Sequence, residues 1–194
     1  MSAPAYQAVV SAPTFALGIR CNEDEILQLD FLEPRAEVAP KSLLAKEAVR
    51  QLRAYFKDPA FSFSLPLAPT GTAFQRRVWA GIAAIPSGST ATYGGLAQAI
   101  DSGPRAVGNA CGANHYPVVI PCHRVVASGG PNGGLGGFAR TRGGFLLDVK
   151  RWLLAHERPS PRPLPREGGD GCSPRSLQTT ALPWGGPAAR HESS

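Results

Sequence analysis

Apolar positions recur along this chain with two different periods, and the change from one to the other divides it. Three short runs, residues 5–12, 15–20 and 26–32, alternate in part between apolar and polar positions. Pro13 and Asn22-Glu23-Asp24 interrupt them with residues that favour turns, so the runs read as strands of an antiparallel meander. Leu43, Leu44, Ala48, Leu52 and Tyr55 then follow at helical spacing and predict a helix over residues 41–57, with Ser42 as N-cap. Residues 61–65 alternate once more, after which Pro66 and Pro69 predict an extended connection.

From Thr70 onward helical spacing dominates. Thr72 is placed to cap a helix running to about residue 84, with Phe74, Val78, Trp79 and Ile82 on its buried face and Pro86-Ser87-Gly88 closing it. Residues 92–100 predict a short helix capped by Thr92. Asp101-Ser102-Gly103 predicts a tight turn, and Pro104 suits the first position of a helix that reaches about Gly112. Two short helices joined through a glycine-containing turn make a helix-turn-helix pattern. Residues 118–120 form an apolar run that stops at Pro121-Cys122-His123-Arg124, and a glycine-rich stretch follows. Residues 146–156 predict a last amphipathic helix carrying Trp152, Leu153 and Leu154. Beyond Arg158, Pro, Gly, Ser and Arg dominate without an apolar period, so residues 159–194 are expected to be a disordered tail. The expected organisation is thus α+β overall: an α+β unit over 1–70, a mainly helical unit over 71–158, and the tail.

Charge sharpens this division. The net charge is +6, but residues 1–70 carry seven Lys/Arg against eight Asp/Glu, whereas residues 71–157 carry eight against three. The positive charge belongs to the second unit, as in a module that faces phosphates. A solvated arginine-rich surface is the other reading of the same counts. No apolar run is long enough to span a membrane and no basic-then-apolar leader opens the chain, so a cytoplasmic protein without a membrane partner is expected.

The four cysteines are Cys21, Cys111, Cys122 and Cys172, none in a Cys-x-x-Cys pair and none at zinc-finger spacing from two histidines. No metal site is expected. Cys122 differs from the others because His123 and Arg124 follow it directly. A thiol attacks as thiolate, so a useful nucleophile needs a base or a positive field nearby. His123 could supply the base, directly or through a water, and Glu157, at the end of the last helix, is the available acid to orient the imidazole. On local sequence alone, coincidence remains the default reading of an adjacent Cys-His pair.

Ile120-Pro121-Cys122-His123-Arg124-Val125-Val126 resembles the active-site signature of the 6-O-alkylguanine-DNA alkyltransferases, also called methylated-DNA–protein-cysteine methyltransferases. Tyr93-Gly94-Gly95-Leu96-Ala97, Arg105-Ala106-Val107-Gly108-Asn109-Ala110, Asn114 and Trp152-Leu153-Leu154-Ala155-His156-Glu157 extend the resemblance in the family's order, and Phe74-Gln75-Arg76-Arg77-Val78-Trp79 adds a less specific match. The likeness covers about residues 71–157 and is weaker in the first unit.

The resemblance implies a ribonuclease H-like first domain and a winged-helix-like, DNA-binding catalytic second domain. It implies irreversible transfer of a methyl or other alkyl group from 6-O-alkylguanine in double-stranded DNA to Cys122, and leaves 4-O-alkylthymine open as a further substrate. The protein would act once, as a monomer without a cofactor, on a nucleotide flipped out of the stack. Cys122, His123 and Glu157 match the nucleophile, the water-linked base and the acid, and Asn114 the asparagine that braces the active-site turn. Tyr93 matches the tyrosine that hydrogen-bonds the flipped guanine, and Arg105 the finger that enters the duplex. The carbonyls of Cys122 and Val125 would accept from the guanine amine, and Arg124 either braces the site or meets a phosphate. Phe138 stands where many relatives have tyrosine, Ala139 where some have serine, and His115 where proline is common; the segment from Ala139 to Lys150 is longer than in relatives. A lesion binder without transfer activity would lack Cys122. A regulator built on the helix-turn-helix would not require Tyr93, Cys122, His123 and Glu157 together, and a cysteine hydrolase would need an oxyanion site.

Overall fold

The computed structural model describes residues 5–129, 134–136 and 144–158. The expected tail, together with Phe138 and Ala139, lies outside the described residues. The first part of the chain forms strands β1 (Ala8–Ser11), β2 (Ala16–Cys21) and β3 (Ile26–Leu32), paired antiparallel in that order. Helix α1 (Leu43–Lys57) packs on them and turns Ala45, Ala48, Val49, Leu52 and Tyr55 inward, as their helical spacing demands. The Ser42 hydroxyl accepts from the Ala45 N–H at 3.1 Å, a cap that satisfies one orphan amide of the first turn. Strand β2 does not alternate: Ala16, Leu17, Gly18 and Ile19 are all buried, because the strand is central and covered on both faces. At Gly18 the cover is the Tyr6 ring, which lies where a Cβ would have to sit.

The alternation of residues 61–65 does not make a strand. The chain instead runs beside β3, where Ile26 N–H donates to Pro66 O at 2.8 Å and Ala68 N–H to Ile26 O at 2.9 Å. Pro66 has no N–H to give to a ladder, so the contact stays an isolated parallel bridge between Ile26 and Leu67.

Helix α2 (Ala73–Ala83) begins with a reciprocal capping box between Thr72 and Gln75. It is tied to helix α4 (Pro104–Gly112) by the buried Trp79, whose indole N–H donates to Ala110 O at 2.8 Å. Between them lie the short strand β4 (Ala91–Thr92) and helix α3 (Tyr93–Ala99), where the Thr92 hydroxyl caps Gly95 N–H at 2.9 Å. After α4 come a 3-10 turn over Cys122–Arg124 and strand β5 (Val125–Val126), which pairs parallel with β4. Helix α5 (Phe145–His156) closes the described chain.

The fold is mixed α/β, with small sheets and helices. Core residues from both parts form one continuous cluster, from Leu17 and Leu52 to Trp79, Ile120 and Leu153. Helix α5 is a principal tie, since Trp152 packs edge-on against Phe15 at 5.4 Å and Phe56 at 6.1 Å between centroids. No described helix is long and apolar enough to cross a membrane.

Candidate active site

Cys122 is positioned by backbone geometry that begins four residues earlier. Val118 has φ 75°, the left-handed region that a β-branched residue rarely adopts. Such strain costs roughly 1–3 kcal/mol and persists only where the surroundings impose it. Here Ile120 N–H closes the turn on Tyr116 O at 2.8 Å, and Asn114 N–H₂ donates to Ile120 O at 2.8 Å. Pro121, at φ −80° and ψ 62°, is the centre of an inverse γ-turn in which Cys122 N–H donates to Ile120 O at 2.8 Å. The proline ring holds that φ in advance, so the cysteine is presented by a turn with little freedom.

The Asn114 amide also lies 3.2 Å from Cys122 Sγ, placing a donor on the sulfur. Cys122 is only 5% exposed, and burial pushes its thiol up in pKa, while the Asn114 hydrogen bond and the charge of Lys150 pull it down. A cavity of about 410 Å³ opens beside it, lined by Cys111, Asn114, Pro117 and Leu146 and, from β3, by Gln28 and Phe31. Cys111 shares that cavity, but burial and the neighbouring Cys122 hold its thiol at about 12.

His123, fully buried, meets Glu157 Oε1 through Nε2 at 2.9 Å. Arg124 binds the same carboxylate in fork geometry, Nε to Oε2 at 2.9 Å and Nη2 to Oε1 at 2.8 Å, and its Nη1 donates to Ile85 O at 2.6 Å. Burial alone would raise the Glu157 carboxyl; the hydrogen bonds and charges of His123 and Arg124 overcome it and leave the group well below the usual carboxylate range. Burial, with the positive Arg124 and Lys150 nearby, lowers the His123 imidazole despite Glu157. The resting state is therefore a neutral histidine beside a carboxylate whose charge is balanced by arginine. Because a carboxylate only accepts, Nε2 carries the ring proton and Nδ1 carries the lone pair. Nδ1 is buried and takes no hydrogen bond from the described residues.

Of the two places open to Arg124, the structure shows the bracing one: its guanidinium is turned inward onto Glu157 and Ile85, not outward to a phosphate. Arg105 lies exposed on the first turn of α4. Tyr93 opens α3, half-buried, with its ring close against Gly136, whose φ of +67° and lack of a Cβ allow the approach. The Val125 carbonyl accepts from Lys150 Nζ at 2.7 Å, and the Cys122 carbonyl accepts from Val125 N–H. His115 is exposed at the rim of the cavity, and its carbonyl accepts from Leu29 N–H at 2.9 Å.

Lys150 was not singled out by sequence reasoning, yet it is fully buried, donates to Val125 O and Leu135 O, and sits 5.8 Å over the Tyr93 ring. Burial lowers its ammonium to about 8, against the opposing pull of Cys122 and Cys111. A signal for it existed. Leu146, Lys150, Leu153 and Glu157 follow one another at helical spacing, so a lysine and a glutamate occupy positions of the apolar stripe. Among the described residues no group of three or more His, Cys, Asp or Glu could hold a metal ion.

The family model described as "6-O-methylguanine DNA methyltransferase, DNA binding domain" matches residues 73–159. A methylated-DNA–protein-cysteine methyltransferase of Methanosarcina acetivorans is 36% identical over 160 residues, covering 78% of this chain and 97% of the relative. The constitutive enzyme of that name from Bacillus subtilis is 41% identical over 114 residues, 58% of this chain and 65% of its own. Among solved structures, the Mycobacterium tuberculosis O6-methylguanine methyltransferase superposes with a TM-score of 0.66 at 32% identity, covering 82% of this chain and 96% of that one. The Mycobacterium tuberculosis OGT in complex with DNA gives 0.64 at 34% identity, covering 77% and 91%. A match of this identity over nearly the whole of the Methanosarcina acetivorans relative, joined to a common fold, places the chain in the methylated-DNA–protein-cysteine methyltransferase family.

Proposed function

We propose that this protein repairs double-stranded DNA by direct reversal, moving a methyl or other alkyl group from O6 of guanine to Cys122 Sγ. The observation that carries the reading is the buried His123–Glu157–Arg124 assembly directly after Cys122, which keeps a neutral base and a balanced carboxylate next to a thiol. His123 Nδ1 takes the thiol proton through a water, and Glu157 steadies the imidazolium that results. Lys150 and the Asn114 amide stabilise the thiolate. The sulfur then displaces the guanine oxygen in line: an S–C bond forms, the C–O bond breaks, and the base leaves with the electron pair and regains a proton. The thioether resists hydrolysis, so each molecule acts once.

In this reading Tyr93 hydrogen-bonds the flipped base, the Cys122 and Val125 carbonyls accept from its amine, and Arg105 fills the vacated stack. Arg124 acts by bracing Glu157. Residues 1–70 then serve as a ribonuclease H-like support and 71–158 as the winged-helix-like DNA-binding unit, a division favoured by the antiparallel meander under α1 and by the α3–α4 pair beside β4 and β5. The test is a duplex with one methylated guanine, followed by intact and peptide mass measurement. One methyl on the Cys122 peptide, at no more than one equivalent, is expected; repeated turnover, or methyl on Cys111, overturns it.

A further inference from the structure

The carboxylate of Glu157 receives a hydrogen bond from outside its own half of the molecule. Tyr55, on the last turns of α1, is 1% exposed, and its hydroxyl donates to Glu157 Oε1 at 2.8 Å. That oxygen already takes His123 Nε2 at 2.9 Å and Arg124 Nη2 at 2.8 Å. The same tyrosine grips the neighbouring residue through its backbone. His156 Nε2 is 2.9 Å from Tyr55 O, and since a carbonyl only accepts, the imidazole nitrogen is the donor. The His156 ring stands edge-on to the Tyr55 ring at 5.3 Å and stacks on Trp152 at 4.8 Å. One residue of the first unit thus holds the end of α5 by both its side chain and its main chain.

We infer that Tyr55 is a positioning residue for the transfer reaction: its hydroxyl fixes the Glu157 carboxylate and, by sharing Oε1 with His123, sets how strongly that carboxylate holds the imidazole proton. The inference rests on the proposed relay through His123 and Glu157. A hydrogen bond donated to an anion stabilises the anion and draws charge away from its other partners. With the tyrosine in place, Glu157 orients His123 without making it so basic that it rests protonated and useless as a base. Among the described residues, the other charged or titratable groups around the pair are Arg124 and Cys122 from the 3-10 turn, and Lys150 and His156 from α5. The Gly88 amide stands 3.5 Å from Glu157 Oε2. None of these others comes from residues 5–70, so the phenol is the first unit's contribution to the pair.

Tyr55→Phe keeps the ring against Phe56, Phe63 and His156 and removes only the donor. Oε1 then has one donor fewer, the imidazolium is better stabilised, and the midpoint of His123 protonation rises. Tyr55→3,5-difluorotyrosine, whose phenol is a stronger donor, moves the midpoint down. The experiment is NMR titration of ring-labelled histidine in the full chain, with His123→Gln assigning the signal and Phe56→Leu as a packing control that does not touch Glu157. Shifts of about half a unit to one unit in opposite directions are expected, with no shift in Phe56→Leu even where its Tm falls. The acid midpoint of single-turnover methyl transfer to Cys122 should follow His123 in each variant. Coincident midpoints, or shifts of one sign in both Tyr55 variants, overturn the inference. If the unsubstituted chain leaves Cys122 unmethylated while the NMR midpoints still move apart, it is the proposed function that fails.

Discussion

From β1 to α1 the buried side chains are apolar except Gln51 and the hydroxyl of Tyr55, whereas around Cys122 the buried set includes His123, Lys150 and Glu157. Gln51 is satisfied at the edge of this core, taking Ser64 N–H and donating to Ser64 Oγ and to the partly exposed carboxylate of Glu47. The second region instead keeps ionised groups out of water, where leaving a charge unpaired costs several kcal/mol. Each of its charges has a close partner: Glu157 has Arg124, and Lys150 has two carbonyls. The contrast shows where stability and chemistry reside. The sheet-and-helix region draws on apolar burial, about 1.5–3 kcal/mol for each fully buried side chain such as Leu17 or Leu52. The Cys122 region spends part of that on a dry, polar site able to shift a thiol, an imidazole and an ammonium.

The contrast can be broken most completely at the sulfur. Cys122→Ala should abolish methyl uptake while leaving affinity for duplex DNA, read by mass measurement and by titration with labelled duplex; residual uptake would put the acceptor elsewhere. Next comes Glu157→Ala, which strands the Arg124 charge and frees His123. It should cost about 3–5 kcal/mol in urea unfolding and slow transfer by about 100-fold or more. Leu52→Ala, in the other region, should cost about 2–5 kcal/mol through its cavity. Its pH profile of transfer should match the unsubstituted protein at temperatures where both are folded. A shifted profile would show that the first region's apolar core also tunes the chemistry.

Smaller effects sharpen the comparison. Lys150→Met removes a positive charge that favours the Cys122 thiolate, so transfer at neutral pH should slow about 10-fold and recover as pH rises, one unit of thiol pKa being tenfold. A loss independent of pH would assign Lys150 to packing alone. The mildest test is acid itself. His123 and Glu157 both have folded pKa values held down, so the unfolded chain binds the extra protons first. Their contribution to stability is complete above the unfolded histidine value of about 6.5 and declines below it, with Glu157 adding its part below about 4.3. Chemical unfolding in Glu157→Gln should lose the lower part of this dependence and keep the rest.

Much of the fold was legible because its signals are local. Ser42, Thr72 and Thr92 mark helix starts by the hydrogen bonds their own side chains make three residues on. Pro104 and the Asp101-Ser102-Gly103 turn mark another, and apolar spacing gave the buried faces of α1, α2 and α5. Residues 61–65 alternate without forming a strand, because the alternation there has no ladder partner. The positive φ of Val118 had no sequence signal, since valine is among the residues least suited to it.

For the site, the order of Cys122, His123 and Arg124, with Asn114 and Glu157 at family spacing, was sufficient by resemblance to name these residues as one group. The direction of Arg124 was not, because an arginine after a histidine can face a phosphate or a carboxylate with equal local propriety. Its choice depends on Glu157, 33 positions further on, and Ile85, 39 positions back. Tyr55 lies farther still, 102 positions from the carboxylate it donates to, and in sequence it is only the last apolar tooth of α1. Caps, turns and periodicity are settled within a few residues, so sequence alone determined the elements and, through the family resemblance, singled out Cys122 as the candidate acceptor. Which buried polar group meets which depends on how α1, the 3-10 turn and α5 close on one another. Desolvation makes those pairings decisive, and only the tertiary structure brings the partners together.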